Sequence, residues 1–426
     1  MKETKELLEE FGTGKQDAWL NEIYVDKQMS AYQKERYQKA IQKFEELYGT
    51  GEAEIYSAPG RSEVGGNHTD HQHGEVLAAS INLDAVAVVR KTPEAVIELL
   101  SEGYPRVTVD LTDLEKKECE EGTTIALIRG MAYGLEQNGH NIGGFQAYVT
   151  SDVLNGAGMS SSAAFETLVG TIISGLYNNM QISPVEIAQV AQYAENVFFG
   201  KPCGLMDQMA CSVGGLIHID FADPKEPVVE KVEVDFAAYN HSLCITDTKG
   251  SHADLTEDYA MIPQEMKKVA NFFGKEFLRE VEEKEFYKNI ANLQKECGDR
   301  AVLRSLHFFE EDKRVEQEVK ALKSGDFKEF LQTVKKSGNS SFNYLQNVYT
   351  NKDVQNQGVS IGLAVSDSIL ENHGVCRVHG GGFAGTIQAF VEDGFVESYR
   401  EMLDSVFGEG ACHVLKVRPF GGIKVI

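Results

Sequence analysis

The chain has 426 residues, 42% hydrophobic and 25% charged, with a formal net charge of −24. That usage fits a globular protein of two or three domains, and no run approaches the roughly 18 apolar residues of a membrane helix. The acidic balance excludes a nucleic-acid surface, which Lys and Arg would have to supply. The N-terminus, MKETKELLEEFGTGKQDAW, lacks the basic start and apolar run of an export signal, and the seven cysteines form no close pair. Reduced thiols in a cytoplasmic protein, with neither membrane nor nucleic acid as partner, are expected.

In chain order, Lys2 to Leu47 reads as helix, rich in helix formers and interleaved charges. From Glu54 to Asp110 the chain turns β-rich, with runs at Ala85–Arg90, Ile97–Leu100 and Arg106–Leu111 broken by Gly and Pro. A helix is expected near Thr124–Asn138, followed by the strand-like GFQAYVTSDVL and then a second helix, SSSAAFETLVGTIISGL. In that helix Phe165, Leu168, Val169, Ile172, Ile173 and Leu176 follow the spacing of a buried face. Further strands are expected at Gly215–Phe221, Val228–Phe236 and Ser242–Asp247, a long helical region from Thr256 to Leu345, and closing strands at Thr386–Glu392 and Val414–Arg418. With no repeat and no low-complexity linker, the domain boundary is expected as a tight crossover between Phe221 and Ser242.

Four segments carry chemistry. In GAGMSSSAA (Gly156–Ala164) small residues let backbone amides approach a ligand, and the helix starting among the serines points its positive end there. That suits phosphate, and a serine hydroxyl can also ligate Mg²⁺; a plain serine cap after a glycine turn is the alternative. The segment SAPGRSEVGGNHTDHQHG (57–74) crowds Arg61, Glu63, His68, Asp70, His71 and His73 into one loop, a set of donors and acceptors that suits a sugar. A metal site or a solvated turn are its alternatives. AENVFFGKPCGLMDQMACSVGG (Ala194–Gly215) offers the carboxylates Glu195 and Asp207, and GVCRVHGGGFAGTIQAFV (Gly374–Val391) has three successive glycines that permit close backbone approach, or simply a tight turn.

The serine loop resembles the second motif of the GHMP kinases, and the glycine run resembles their third motif, Gly-Gly-Gly-Phe-Gly-Gly, with Ala384 in place of one glycine. Residues 57–74 resemble the galactokinase signature Gly-Arg-x-Asn-Leu-Ile-Gly-Glu-His-Thr-Asp-Tyr at Gly60, Arg61, Gly66, His68, Thr69 and Asp70. They depart from it with Glu63 for Asn, Gly65 for Ile, Asn67 for the acidic residue and His71 for Tyr. Cys203, Gly204, Met206, Asp207 and Gln208 match the galactokinase stretch Cys-Gly-x-Met-Asp-Gln, and His252 and Tyr259 keep the spacing of its later His and Tyr. Lys249 departs there.

The resemblance runs from about Phe44 to the C-terminus. It implies an α+β fold: a helical N-terminal extension (1–43), an N-terminal mixed α/β domain (44–230) and a ferredoxin-like C-terminal domain (231–426), with the active site between the two domains. It implies an ATP-dependent, Mg²⁺-assisted kinase acting on the anomeric hydroxyl of galactose, a monomer or weak homo-oligomer whose partners are the sugar and ATP. Asp207 would be the base, assisted by Arg61. Gly156, Gly158, Ser160, Ser161, Ser162 and Ala163 would hold ATP, Ser162 and Glu195 the Mg²⁺, and Asn67, His68, Asp70, Gly204 and Tyr259 the sugar. Because the departures gather near the sugar, galacturonate, N-acetylgalactosamine and arabinose are alternative substrates, with Lys249 a possible partner for a uronic carboxylate. A non-catalytic sugar and ATP sensor is the reading from a different class.

Overall fold

The computed structural model describes residues 1–27, 29–153, 158–250 and 255–426. Its first sheet starts at the edge strand β1 (Lys2–Glu3) and continues through β2 (Glu52–Gly65), β3 (Glu75–Lys91), β4 (Val96–Ser101), β5 (Val107–Asp110), β6 (Phe145–Ser151), β7 (Leu216–Asp220) and β8 (Val228–Lys231). The main spatial order is β1-β2-β3-β6-β4-β5. β3 serves two further partners: Ala85–Lys91 pairs with β6 and Glu75–Ala79 with β7. The β2–β3 register breaks between Pro59 and Arg61 and again between Glu63 and Gly65. Such irregularities bend a strand and re-aim its side chains, and here they fall at Arg61 and Glu63.

Period-two alternation gives this sheet two apolar faces. On one, Ile55, Val86 and Val88 meet Leu7, Phe11, Ile23, Tyr37 and Phe44 from α1 (Thr4–Gly12), α2 (Asp17–Tyr24) and α3 (Ser30–Tyr48). On the other, Tyr56, Ala87 and Val89 meet Ile128, Leu168, Ile172 and Ala191 from α4 (Thr124–Gln137), α5 (Ser161–Asn178) and α6 (Pro184–Tyr193). The helix expected over Lys2–Leu47 is therefore a short strand and three helices, because the chain turns at Gly14 (φ 80) and Val25 (φ 55). The predicted face of α5 holds: Leu168, Val169, Ile172 and Ile173 are buried, with Phe165 and Leu176 at the margin.

After α7 (Met206–Val213) and β8 the chain crosses to a second sheet. The strand expected over Val228–Phe236 stops at Lys231, and a 3₁₀ turn follows at Phe236–Tyr239. The new sheet comprises β9 (His241–Asp247), β10 (Gly374–Val378), β11 (Thr386–Glu392) and β12 (Cys412–Leu415), antiparallel in the order β10-β11-β9-β12. The long helical region resolves into α8 (Thr256–Phe272), α9 (Glu283–Lys288), α10 (Ile290–Cys297), α11 (Asp299–Ser324) and α12 (Phe327–Ser340). One face of the second sheet packs Leu243, Ile245 and Phe390 on Val315, Phe330 and Val334 of α11 and α12. The other face is covered by α13 (Gly358–Leu370) and α14 (Val396–Phe407), which sequence patterning did not reveal. β13 (Ile423–Lys424) then returns to pair with β2, so the last residues close the first sheet.

The architecture is α+β, with a mixed N-terminal layer, a ferredoxin-like second sheet and the site between them. No helix among the described residues is long and apolar enough to cross a membrane. All seven cysteines are free thiols.

Candidate active site

The bend in β2 brings Arg61 beneath the first turn of α7. Its Nε and Nη2 donate to Oδ1 and Oδ2 of Asp207, each at 2.7 Å, and its Nη1 donates to the Gly158 carbonyl. One buried guanidinium thus fixes both the carboxylate and the glycine of the serine loop. Burial opposes ionisation of Asp207, but Arg61 outweighs it and holds the carboxyl below the usual carboxylate range. Ser160, in left-handed backbone (φ 55), donates its hydroxyl to the same carboxylate.

Gly158 also has positive φ (66°), and a Cβ there would lie 2.6 Å from Thr386 Oγ1, so this position needs glycine. The first turn of α5 closes with the Ala164 amide on the Ser160 carbonyl at 3.0 Å. That leaves the amides of Ser161, Ser162 and Ala163 without an intrahelical acceptor. Ser162 Oγ donates to Glu195 Oε1 at 3.2 Å. Glu195 lies in a π-helical turn, Ala194–Phe199, that extends α6 and widens the helix where this carboxylate turns inward. Lys201 Nζ sits 3.1 Å from Oε1, and Gln208 Nε2 donates to Oε2 at 2.8 Å. Lys201 and Gln208 had no role in the sequence reading, although both lie in the stretch that carries Glu195 and Asp207. Ser162 and Glu195 are hard oxygen donors beside a helix start whose free amides suit an anion; they fit Mg²⁺, which needs only one or two carboxylates when phosphates supply other ligands. Gly156 and His252 lie outside the described residues.

An apolar cavity of about 520 Å³ opens beside Ser161 and Ser162, walled by Leu99, Tyr104, Pro105, Val107, Leu127 and Phe165. Sequence reasoning found none of this wall, because its residues are scattered over β4, β5, α4, α5 and a connecting turn and share no motif.

The segment 57–74 and the glycine run meet directly. Asn67 Nδ2 donates to the Gly380 carbonyl at 2.8 Å, His68 Nε2 lies 3.0 Å from that of Gly381, and Tyr259 OH donates to that of Gly382 at 2.7 Å. Burial lowers the His68 pKa to about 3, so the ring is neutral and can give its Nε2 proton to the carbonyl. Asn67 is fully buried: Nδ2 also donates to Glu63 at 2.9 Å, and Oδ1 accepts from Asn347 at 2.8 Å and Ser341 at 3.1 Å. Three of the five residues expected at the sugar therefore spend these polar atoms on the glycine loop. Asp70 and Gly204 form the other pair: a Cβ on Gly204 would fall 1.8 Å from Asp70 Oδ2, so this carboxylate reaches its place only past a glycine. Glu63 and Asn67 depart from the signature as an exchange, acid for amide and amide for acid. The two side chains touch, and Arg377 meets the Glu63 carboxylate at 2.6 Å. Lys249 is tied to Asp247 at 2.9 Å and half exposed.

Residues 42–91 match the galactokinase galactose-binding signature and residues 126–215 the GHMP kinases N terminal domain. A galactokinase of Actinobacillus pleuropneumoniae is 30% identical over 368 residues, covering 86% of this chain and 92% of the relative. One of Streptomyces coelicolor is 28% identical over 388 residues, 90% of this chain and 97% of the relative. Among solved structures, Lactococcus lactis galactokinase complexed with galactose superposes with a TM-score of 0.77 at 25% identity over 90% of this chain and 98% of that one. Methanococcus jannaschii mevalonate kinase shares the fold alone, with a TM-score of 0.61 at 15% identity, covering 86% of this chain and 99% of that one.

Fold and site together define a sugar kinase of the GHMP type, with its serine-rich helix start facing an arginine-held aspartate. Within that class the chain belongs to the galactokinase family.

Proposed function

We propose that this chain transfers the γ-phosphoryl group of ATP to the anomeric hydroxyl of galactose, giving galactose 1-phosphate and ADP. The observation that carries the reading is the bidentate Arg61–Asp207 pair, 2.7 Å on each arm, set against the start of α5. Asp207 accepts the anomeric proton while the sugar oxygen attacks the γ-phosphorus; the new P–O bond forms as the bond to ADP breaks. Arg61 keeps the base ionised and lies beside the charge that spreads over the transferring group. The amides of Ser161, Ser162 and Ala163 would receive the phosphates, and the adjoining apolar cavity has the size and lining for the adenine ring. Mg²⁺, held by Ser162 and Glu195, would neutralise charge on the β- and γ-phosphates. Asp70 would face the sugar past Gly204. Proposed with this are the division into 1–43, 44–230 and 231–426, whose second boundary is supported by the crossover between Lys231 and His241 while the first falls within α3, and a cytoplasmic location, supported by the free thiols.

Release of ADP over a panel of galactose, galacturonate, N-acetylgalactosamine and arabinose tests the substrate; galactose is expected to give the highest kcat/KM. Asp207→Asn is expected to lower kcat by about 10²- to 10⁴-fold while ATP affinity stays near wild type. No turnover on any of these sugars, despite ATP binding, would sink the reading and favour a sensor.

A further inference from the structure

β6 carries the chain into the serine loop through Asp152 and Val153, and Ala85, Ser151 and Val153 line the apolar cavity beside that loop. This stem is gripped from outside the cavity by α3. Buried Arg36 donates from Nη2 to the carbonyls of Asp84 at 2.8 Å and Thr150 at 3.2 Å, and from Nη1 to Asp84 Oδ1 at 2.6 Å. The same Nη1 lies 2.9 Å from Asp152 Oδ2, and Tyr32, one helical turn earlier, donates to Asp152 Oδ1 at 2.7 Å. The Asp152 amide donates to the Asp84 carbonyl at 2.9 Å, so Arg36 and Asp152 share that acceptor. Arg36 therefore spans two strands whose next residues, Ala85 and Ser151, floor the cavity. Neither Arg36 nor Tyr32 lines it.

The structural role of α3 is met by its apolar face, where Tyr37, Ala40, Ile41 and Phe44 pack on the sheet, and by the buried Arg36–Asp84 ion pair. The remaining polar contacts of Tyr32 and Arg36 reach the end of β6. We propose that α3 is a positioning element for the nucleotide: Arg36 and Tyr32, acting through Asp152 and the Asp84 and Thr150 carbonyls, set the floor of the base cavity and the stem of the phosphate loop. This rests on the assignment of that cavity and of residues 158–163 to ATP. It gives α3, whose first two-thirds precede the residues matching the galactokinase signature, a part in binding a ligand whose cavity it does not line.

The test compares Arg36→Met, Arg36→Lys, Asp152→Asn and Tyr32→Phe with Tyr37→Phe, a control on the same helix that removes a 2.9 Å hydroxyl contact to Tyr24 of α2. ATP is titrated calorimetrically into each full-length protein, and the Michaelis constants for ATP and sugar are measured separately. Arg36→Met and Asp152→Asn are expected to weaken ATP binding and raise its KM by about five- to tenfold at unchanged sugar KM, with partial recovery in Arg36→Lys. Tyr37→Phe is expected to lower Tm alone. Tyr32 is half exposed, so Tyr32→Phe keeps the test open if Arg36→Met fails to fold; a two- to threefold rise in ATP KM is expected, on the order of one lost surface hydrogen bond. Wild-type ATP affinity in both Asp152→Asn and Tyr32→Phe, an equal rise in both KM values, or the same effect in Tyr37→Phe would overturn the proposal. A wild-type protein that binds no ATP would overturn the kinase reading together with it, so the two failures are told apart.

Discussion

In the proposed role of base Asp207 must be ionised, and two opposing forces decide whether it is. Burial pushes its pKa up and the Arg61 guanidinium pushes it further down, so the folded value lies below the ordinary carboxylate value near 3.9. The Asp207 limb of the kcat/KM profile is therefore expected below about pH 4, with activity lost as pH falls through it. Arg61→Lys, which loses the two-armed contact, should move that limb upward; a pH–rate profile with an unmoved limb would show that Arg61 does not set it. Glu63 and Asn67 present a second residue-scale case. Asn67→Glu puts two carboxylates beside the single Arg377 in a buried site, and a loss of about 3 kcal/mol or more is expected. The double exchange Glu63→Asn with Asn67→Glu restores one acid and one amide, and should recover most of that loss in urea unfolding. A double variant as unstable as Asn67→Glu would refute the exchange.

At the scale of elements, the site is assembled by chain ends and irregularities rather than by regular structure. The start of α5 supplies the amides, the π-helical turn Ala194–Phe199 turns Glu195 inward, and the broken β2 register aims Arg61. The glycine run is held in place because three consecutive carbonyls are taken by Asn67, His68 and Tyr259. Gly204 precedes α7 at the closest approach to Asp70, where Gly204→Ala would force a Cβ to 1.8 Å from Oδ2. That variant is expected to fold with near-wild-type Tm, since the loop end is partly exposed, and to raise the sugar KM by about tenfold or more at unchanged ATP KM. A rise in ATP KM instead would place Asp70 on the nucleotide side. The helix–strand alternation around α4, β6 and α5 was legible in the sequence, because periodicity is local. The three-part break of the N-terminal helical region and the late α13 and α14 were not, because left-handed turns and partial burial leave weak periodic signals.

Across the whole molecule, the first sheet is closed by residues from both ends of the chain. Asp84, fully buried, accepts from Arg36 of α3, from Arg418 near the C-terminus at 2.8 Å and from Tyr24 at 2.8 Å. Burial works against its ionisation, but the two guanidiniums prevail and its pKa is lowered. Its contribution to stability is thus present above the unfolded value near 3.9 and lost as pH falls through the folded value. Asp84→Asn leaves two buried cations short of a counter-charge, and a loss of about 3–5 kcal/mol is expected at pH 7 by chemical unfolding, shrinking below about pH 4. An equal loss at both pH values would remove Asp84 from this role. The two lobes are likewise joined by buried polar bonds, Arg377 to Glu63 at 2.6 Å and Gln388 to Ser62 at 2.8 Å. By itself the sequence pointed to a sugar kinase, because the serine loop and the Asp207 stretch are contiguous motifs that resemble those of the GHMP kinases. Only the tertiary structure decided what Asn67 and Glu63 touch, what walls the cavity beside the serine loop, and where the N-terminal helices pack. Those depend on contacts between residues far apart in the chain, and no local pattern encodes them.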